Sequence, residues 1–110
     1  MRGAKPADVG VHLGDVFYVA YGADMSIHMF LEVKTVFRDS IEVVEVLSEV
    51  VPGSVHGEIE KIRAGTHRIG LPETHRLCLI DGVPAIHTQF GDAVKVDREK
   101  FFVTSGDFLD

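Results

Sequence analysis

The chain is predicted to fold as a mostly β protein: a small antiparallel SH3-like or related β-barrel of about five to seven strands, with at most one short helix. Three observations predict it. Short alternating runs rich in Val, Ile and aromatics recur, separated by turn residues. An Asp-Gly pair sits between two apolar runs, the strongest short-range hairpin signal. One run, Val16–Tyr21, is apolar or aromatic on both alternating faces, as in a closed or doubly covered sheet.

Gly14-Asp15 launches the first clear run, Val16–Tyr21. Val16, Tyr18 and Ala20 lie on one face of it, and Phe17, Val19 and Tyr21 on the other. Gly22, Ala23 and Asp24 then break the alternation and supply a turn. Residues 27–37 form the next run, expected as a half-buried strand. Ile27, Met29, Leu31, Val33, Thr35 and Phe37 share one face; His28, Phe30, Glu32, Lys34 and Val36 share the other.

Arg38-Asp39-Ser40 turns the chain into IEVVEVLSEVV, which reads two ways. As a helix, Ser40 would be the N-cap and Val43, Val46, Leu47 and Val50 would form the apolar stripe. As a strand, it would pair with the preceding run. Six of its eleven residues are Val or Ile, which restrict χ1 in a helix, so a strand is expected over residues 41–47.

Pro52-Gly53 ends that element, and residues 58–63 are a short alternating strand candidate. The Asp81-Gly82 hairpin follows. With a two-residue loop, Ile80 faces Val83, Leu79 faces Pro84 and Cys78 faces Ala85. Cys78 and His87 then share a face, with His75 on the opposite one. Pro84 has no N–H, so the 83–88 strand is expected to be an edge at that point. Residues 93–96 are a further short strand, residues 97–100 a single helical turn, and FFVT closes the core. The chain reads as one β domain, residues 1–110, with residues 1–10 and 105–110 as loose tails.

Composition excludes several classes. The apolar fraction of 45% and charged fraction of 25% belong to a folded chain rather than a disordered one. No apolar run approaches the length that spans a bilayer, so no membrane partner is expected. The single cysteine cannot form an internal disulfide, which suits the cytoplasm. The net charge of −6 is uneven: residues 32–60 hold seven acids against Lys34 and Arg38. Such a surface repels phosphate backbones, which makes nucleic acid an unfavourable partner, and suits a basic protein surface.

The six histidines and Cys78 match no zinc signature, so neither a metal nor another cofactor is expected. No nucleophile elbow or phosphate-binding loop is present. Glu42 and Glu45 could form a carboxylate pair for acid–base work, yet a solvated acidic face explains them more simply. No catalytic residue is assigned. The candidate binding residues are Tyr21, Asp24, His28, Glu42, Glu45 and Glu49.

The stretch GDVFYVAYGADMSIHMFLEV resembles a family of small phage- and plasmid-encoded proteins of uncharacterised function. Their pattern is approximately G-D-I/V-F-Y-x-S-W-G-Y-D-Q-T-N-x-x-F-Y-x-V. Gly14, Asp15, Val16, Phe17, Tyr18, Gly22, Asp24, Phe30 and Val33 coincide with it. Tyr21 stands in place of its Trp and Ser26 in place of its Thr. Ala23, Met25, Ile27 and Leu31 depart from it. The resemblance implies a mobile-element origin and a strand at RDSIEVVEV, and it carries no activity. The expected function is a non-catalytic binding module that contacts a protein, such as a host factor, through its acidic surface. A nucleic-acid-binding barrel (using Lys61, Arg63, Arg68 and Arg76) or a small hydrolase-type enzyme with His/carboxylate chemistry is the alternative.

Overall fold

The alternating runs become strands. The computed structural model describes residues 2–23, 27–52 and 59–105. In chain order the strands are β1 (Arg2–Ala4), β2 (Val16–Tyr21), β3 (Ile27–Val36), β4 (Ser40–Val50), β5 (Ile59–Ile80), β6 (Val83–Thr88), β7 (Gly91–Val96) and β8 (Phe102–Ser105). A 3-10 turn, Pro6–Asp8, follows β1, and no α-helix occurs among the described residues. Strands β5, β4, β3, β2, β7 and β6 are neighbours in that order, and β6 returns to β5, closing a six-stranded antiparallel barrel. Strands β1 and β8 both pair with β5 as well.

All of the IEVVEVLSEVV segment but its last residue, Val51, lies in strand β4, in keeping with its β-branched content. The hairpin register also holds: Ile80 pairs with Val83, Leu79 with Pro84 and Cys78 with Ala85. Asp81 and Gly82 take the positive φ values that a type I′ turn demands, 51° and 80°. Strand β7 begins to pair with β6 only at Ala85, so the missing N–H of Pro84 costs no ladder bond.

Three expectations are corrected. Residues 58–63 are not a short strand of their own: β5 runs on through Ile80, 22 residues in all. At about 3.3 Å per residue a straight strand of that length would span roughly 70 Å, yet the molecule is only 45 Å in its longest dimension. Strand β5 therefore has to bend, and its register against β4 slips twice, between Ile69 and Glu73 and between Ala64 and Arg68. Strand β3 is not half-buried, because Met29, Phe30, Leu31, Glu32 and Val33 are all buried in succession. A bulge at Lys34 shifts the pairing beyond Val33, so Thr35 stands beside Glu42 rather than on the Leu31 face. Residues 97–100 form a turn and no helix: the Asp97 carboxylate accepts the Glu99 N–H at 2.8 Å, and the Asp97 carbonyl accepts the Lys100 N–H at 3.0 Å. The lead-in residues form β1 and the 3-10 turn, with Pro6 buried.

The doubly apolar strands bury both faces, which gives two cores. The larger fills the barrel and is built from Phe17, Val19, Met29, Leu31, Val33, Ile41, Val43, Leu77, Ile86 and Ala93, with Val11 beside them. The smaller lies on the opposite face of β2 and β3: Val16, Phe30 and Val46 meet Ile62 and Ala64 of β5, with Tyr18, Val96 and Phe102 packed against them. Each fully buried side chain of this size contributes about 1.5–3 kcal/mol.

Glu32 enters this outer core as a charge. Its carboxylate accepts from Arg68 Nε at 2.9 Å and from an Nη of Arg98. Arg98 also donates to the carbonyls of Gly14 and Gly65 at 3.1–3.3 Å. One guanidinium thus ties the start of β2, the centre of β3 and the bend of β5. Gly65 sits where an added Cβ would lie 2.5 Å from the Leu47 carbonyl oxygen, so only glycine lets β5 approach β4 at this bend.

Replacing Glu32 by Ala is expected to cost about 3–5 kcal/mol, because Arg98 is left without its carboxylate. Glu99→Ala, at an exposed ion pair, is expected to cost under about 1 kcal/mol. Gly65→Ala is expected to cost about 1–3 kcal/mol through overpacking. Urea midpoints of the three variants test the ranking.

Candidate functional site: an open seam in the barrel wall

Barrel closure is uneven along β5. One edge of β5 is covered by β4 as far as Arg76 and by β1 beyond it. The other edge meets β8 at Ile62 and β6 only from Cys78. Among the described residues no strand pairs with that second edge in between. Strand β6 leans instead toward β7, so the wall opens as a seam between β5 and the β6–β7 turn.

A cavity of about 190 Å³ lies in the seam. Met29, Leu31 and Val43 of the barrel core form its floor, Ile69 and Leu71 one wall, and Phe90 the other. Leu71 is 87% exposed and Phe90 38%. Among the described residues Glu45 and Glu73 are the acidic lining groups, and Glu73 Oε1 lies 3.3 Å from His75 Nε2. Ligand pockets for drug-sized molecules start near 300 Å³. A cavity this small accommodates about one apolar side chain, held next to two carboxylates.

The candidate residues disperse. Tyr21 stacks on Phe90 with ring centroids 4.3 Å apart, which buttresses the seam wall. Glu45 alternates with Ile41 and Val43, so it faces the cavity. Glu42 lies on the opposite face, where it accepts from Thr35 Oγ1 at 2.8 Å and pairs with Lys34. The two therefore make no carboxylate pair, since an odd spacing on a strand always splits the faces. Glu49 pairs with Arg63 at 3.0 Å, far along the β4–β5 ribbon. Asp24 lies outside the described residues.

His28 belongs to another cluster. Its Nδ1 is 2.6 Å from the Tyr18 hydroxyl, and Tyr18 stacks on Phe102 at 3.8 Å. Burial holds the His28 imidazole below its ordinary value and pushes the Tyr18 phenol up. This aromatic group caps the outer core, which is a packing role.

Three acids of the stretch have cationic partners within the molecule. Glu32 is buried and paired, and Glu42 and Glu49 have cationic partners. Arg63 and Arg68 are engaged in the same set of ion pairs. The seam itself was not legible in sequence. Its only signals were Leu71, an apolar residue between Gly70 and Pro72, Phe90 in the β6–β7 turn, and an acid at an inward position, Glu45. Comparison of the chain with known protein families, with curated proteins and with solved structures finds no match.

The half-buried His28, whose imidazole is held below its ordinary value, makes stability pH-dependent. Because the unfolded chain protonates first, stability is full above the ordinary imidazole value of 6.5 and falls as pH drops below it. Urea midpoints should decline over that range, and His28→Gln should decline less.

Proposed function

We propose that the protein is a non-catalytic binding module whose ligand is a protein segment, seated in the seam. The observation that carries this reading is the combination of an apolar cavity sized for one side chain with Glu45 and Glu73 at its lining. The segment it suits carries an apolar anchor with Lys or Arg beside it. The anchor would remove Leu71 and Phe90 from water, and the basic neighbour would meet the two carboxylates. The uncovered edge of β5 offers main-chain hydrogen bonds to an extended segment, the usual means by which strands recruit peptides. Glu45 and Glu73 bring acidic character to the seam itself.

Selection from a random peptide display library should enrich an apolar residue next to Lys or Arg. Binding of an enriched peptide, followed by fluorescence anisotropy, should weaken tenfold or more in Leu71→Asp or Phe90→Ala. It should also weaken in Glu45→Lys and with added salt. Enriched peptides without basic residues, or affinities indifferent to all four changes, would sink the reading.

A further inference from the structure

On the face of the β5–β6 hairpin opposite Leu77 and Ile86, three reactive side chains meet in series. Cys78 Sγ lies 3.7 Å from His87 Nε2, and His87 Nδ1 is hydrogen-bonded to the Asp92 carboxylate. The register explains the meeting. Cys78 pairs with Ala85, two residues from His87 on the same face, and His87 pairs with Asp92 across the β6–β7 hairpin. Rigid ladders on both sides therefore fix the order thiol, imidazole, carboxylate.

That order has a chemical consequence. An ionised carboxylate only accepts, so Nδ1 must carry the imidazole proton when it bonds to Asp92. Nε2 then presents its lone pair to the sulfur. A nucleophile, a base and a group that orients the base is the arrangement by which weak nucleophiles are activated. At rest the thiol is protonated: burial and the nearby Asp92 charge both push it up. The Ala85 carbonyl, 3.5 Å from Sγ, is a second acceptor that holds the thiol while it is idle. Activation consequently requires proton transfer during attack rather than a standing thiolate.

We infer that Cys78 is an acyl-acceptor site, in which His87 removes the thiol proton and Asp92 positions His87, and that it takes small activated acyl groups. In the step, a Sγ–C bond forms at the carbonyl carbon and the bond from that carbon to the leaving oxygen or sulfur breaks. The thiol proton passes to Nε2 and from there to the leaving group. The substrate must be small because Cys78 is only 6% exposed. His87, by contrast, has a side chain 57% exposed and can exchange its proton with the leaving group. This site is on a different face from the seam and does not depend on the binding reading.

The test uses p-nitrophenyl acetate on the full chain, following nitrophenolate release and intact mass. Cys78 is the sole cysteine, so the thioester has one possible position. The wild type should gain one acetyl group, absent as a thioester in Cys78→Ser. His87→Ala and His87→Gln should acylate at least tenfold more slowly. Asp92→Asn should also slow the reaction, and Asp92→Glu should restore most of the rate. Burial alone predicts the opposite sign, because trimming His87 uncovers the sulfur and would speed acylation. Equal or faster acylation in both His87 variants, or no acylation of the wild type, overturns the inference. An unaltered rate in Asp92→Asn overturns the role given to Asp92.

Discussion

A carboxylate in an apolar layer is the constraint on which the rest of the structure depends. Glu32 stands between Leu31 and Val33 on a strand covered on both sides, and isolated there it would be intolerable. Two arginines from distant parts of the chain solve the problem together. Arg98 is the more consequential, since its remaining donors reach the Gly14 and Gly65 carbonyls. The ion pair therefore dictates where the strand entry, the long strand and the loop after β7 must lie. Such pairs add little net stability over apolar packing, but they penalise every arrangement that leaves one partner alone. Here the penalised alternatives are those in which β5 fails to cross the outer face of β2 and β3.

That crossing separates two kinds of surface. Where β5 lies over β2 and β3 it seals Val16, Phe30 and Val46. Farther on it stays with β4 and parts from β6, which exposes the barrel core through the seam. The cavity is the remainder left when a strand that serves two layers cannot complete the wall of either. Its apolar floor is core; its polar rim is ordinary surface. Binding chemistry in this molecule thus follows from topology more than from any motif.

The same topology explains what could be read from the sequence. Alternation located β2, β3 and β4 closely, because period two is a local property. The Asp81-Gly82 turn fixed the β5–β6 register residue by residue, and with it the proximity of Cys78 and His87. Residues 64–74 were unreadable as a strand: Gly65, Gly70 and Pro72 interrupt the pattern, and bulges scramble its period. Glu32 was counted with a solvated face since its partners are 36 and 66 positions away. Candidate sites fared worse than strands. Glu45 lines the cavity and Tyr21 stacks behind Phe90 of its wall, whereas Glu42 and Glu49 were grouped with Glu45 by charge alone.

The unbroken run of β5 has a last implication, for how the chain finds this structure. Its early residues belong to the outer layer and its late ones to the barrel, so neither layer has a private set of strands. Two of the four ladders it joins close long loops: β8 pairs with its beginning and β1 with its end. Assembly of that kind defers its rewards until distant segments have met, which places the protein among the slower-folding small domains. The layers should also be lost together, for no strand boundary exists at which one could peel away and leave the other standing.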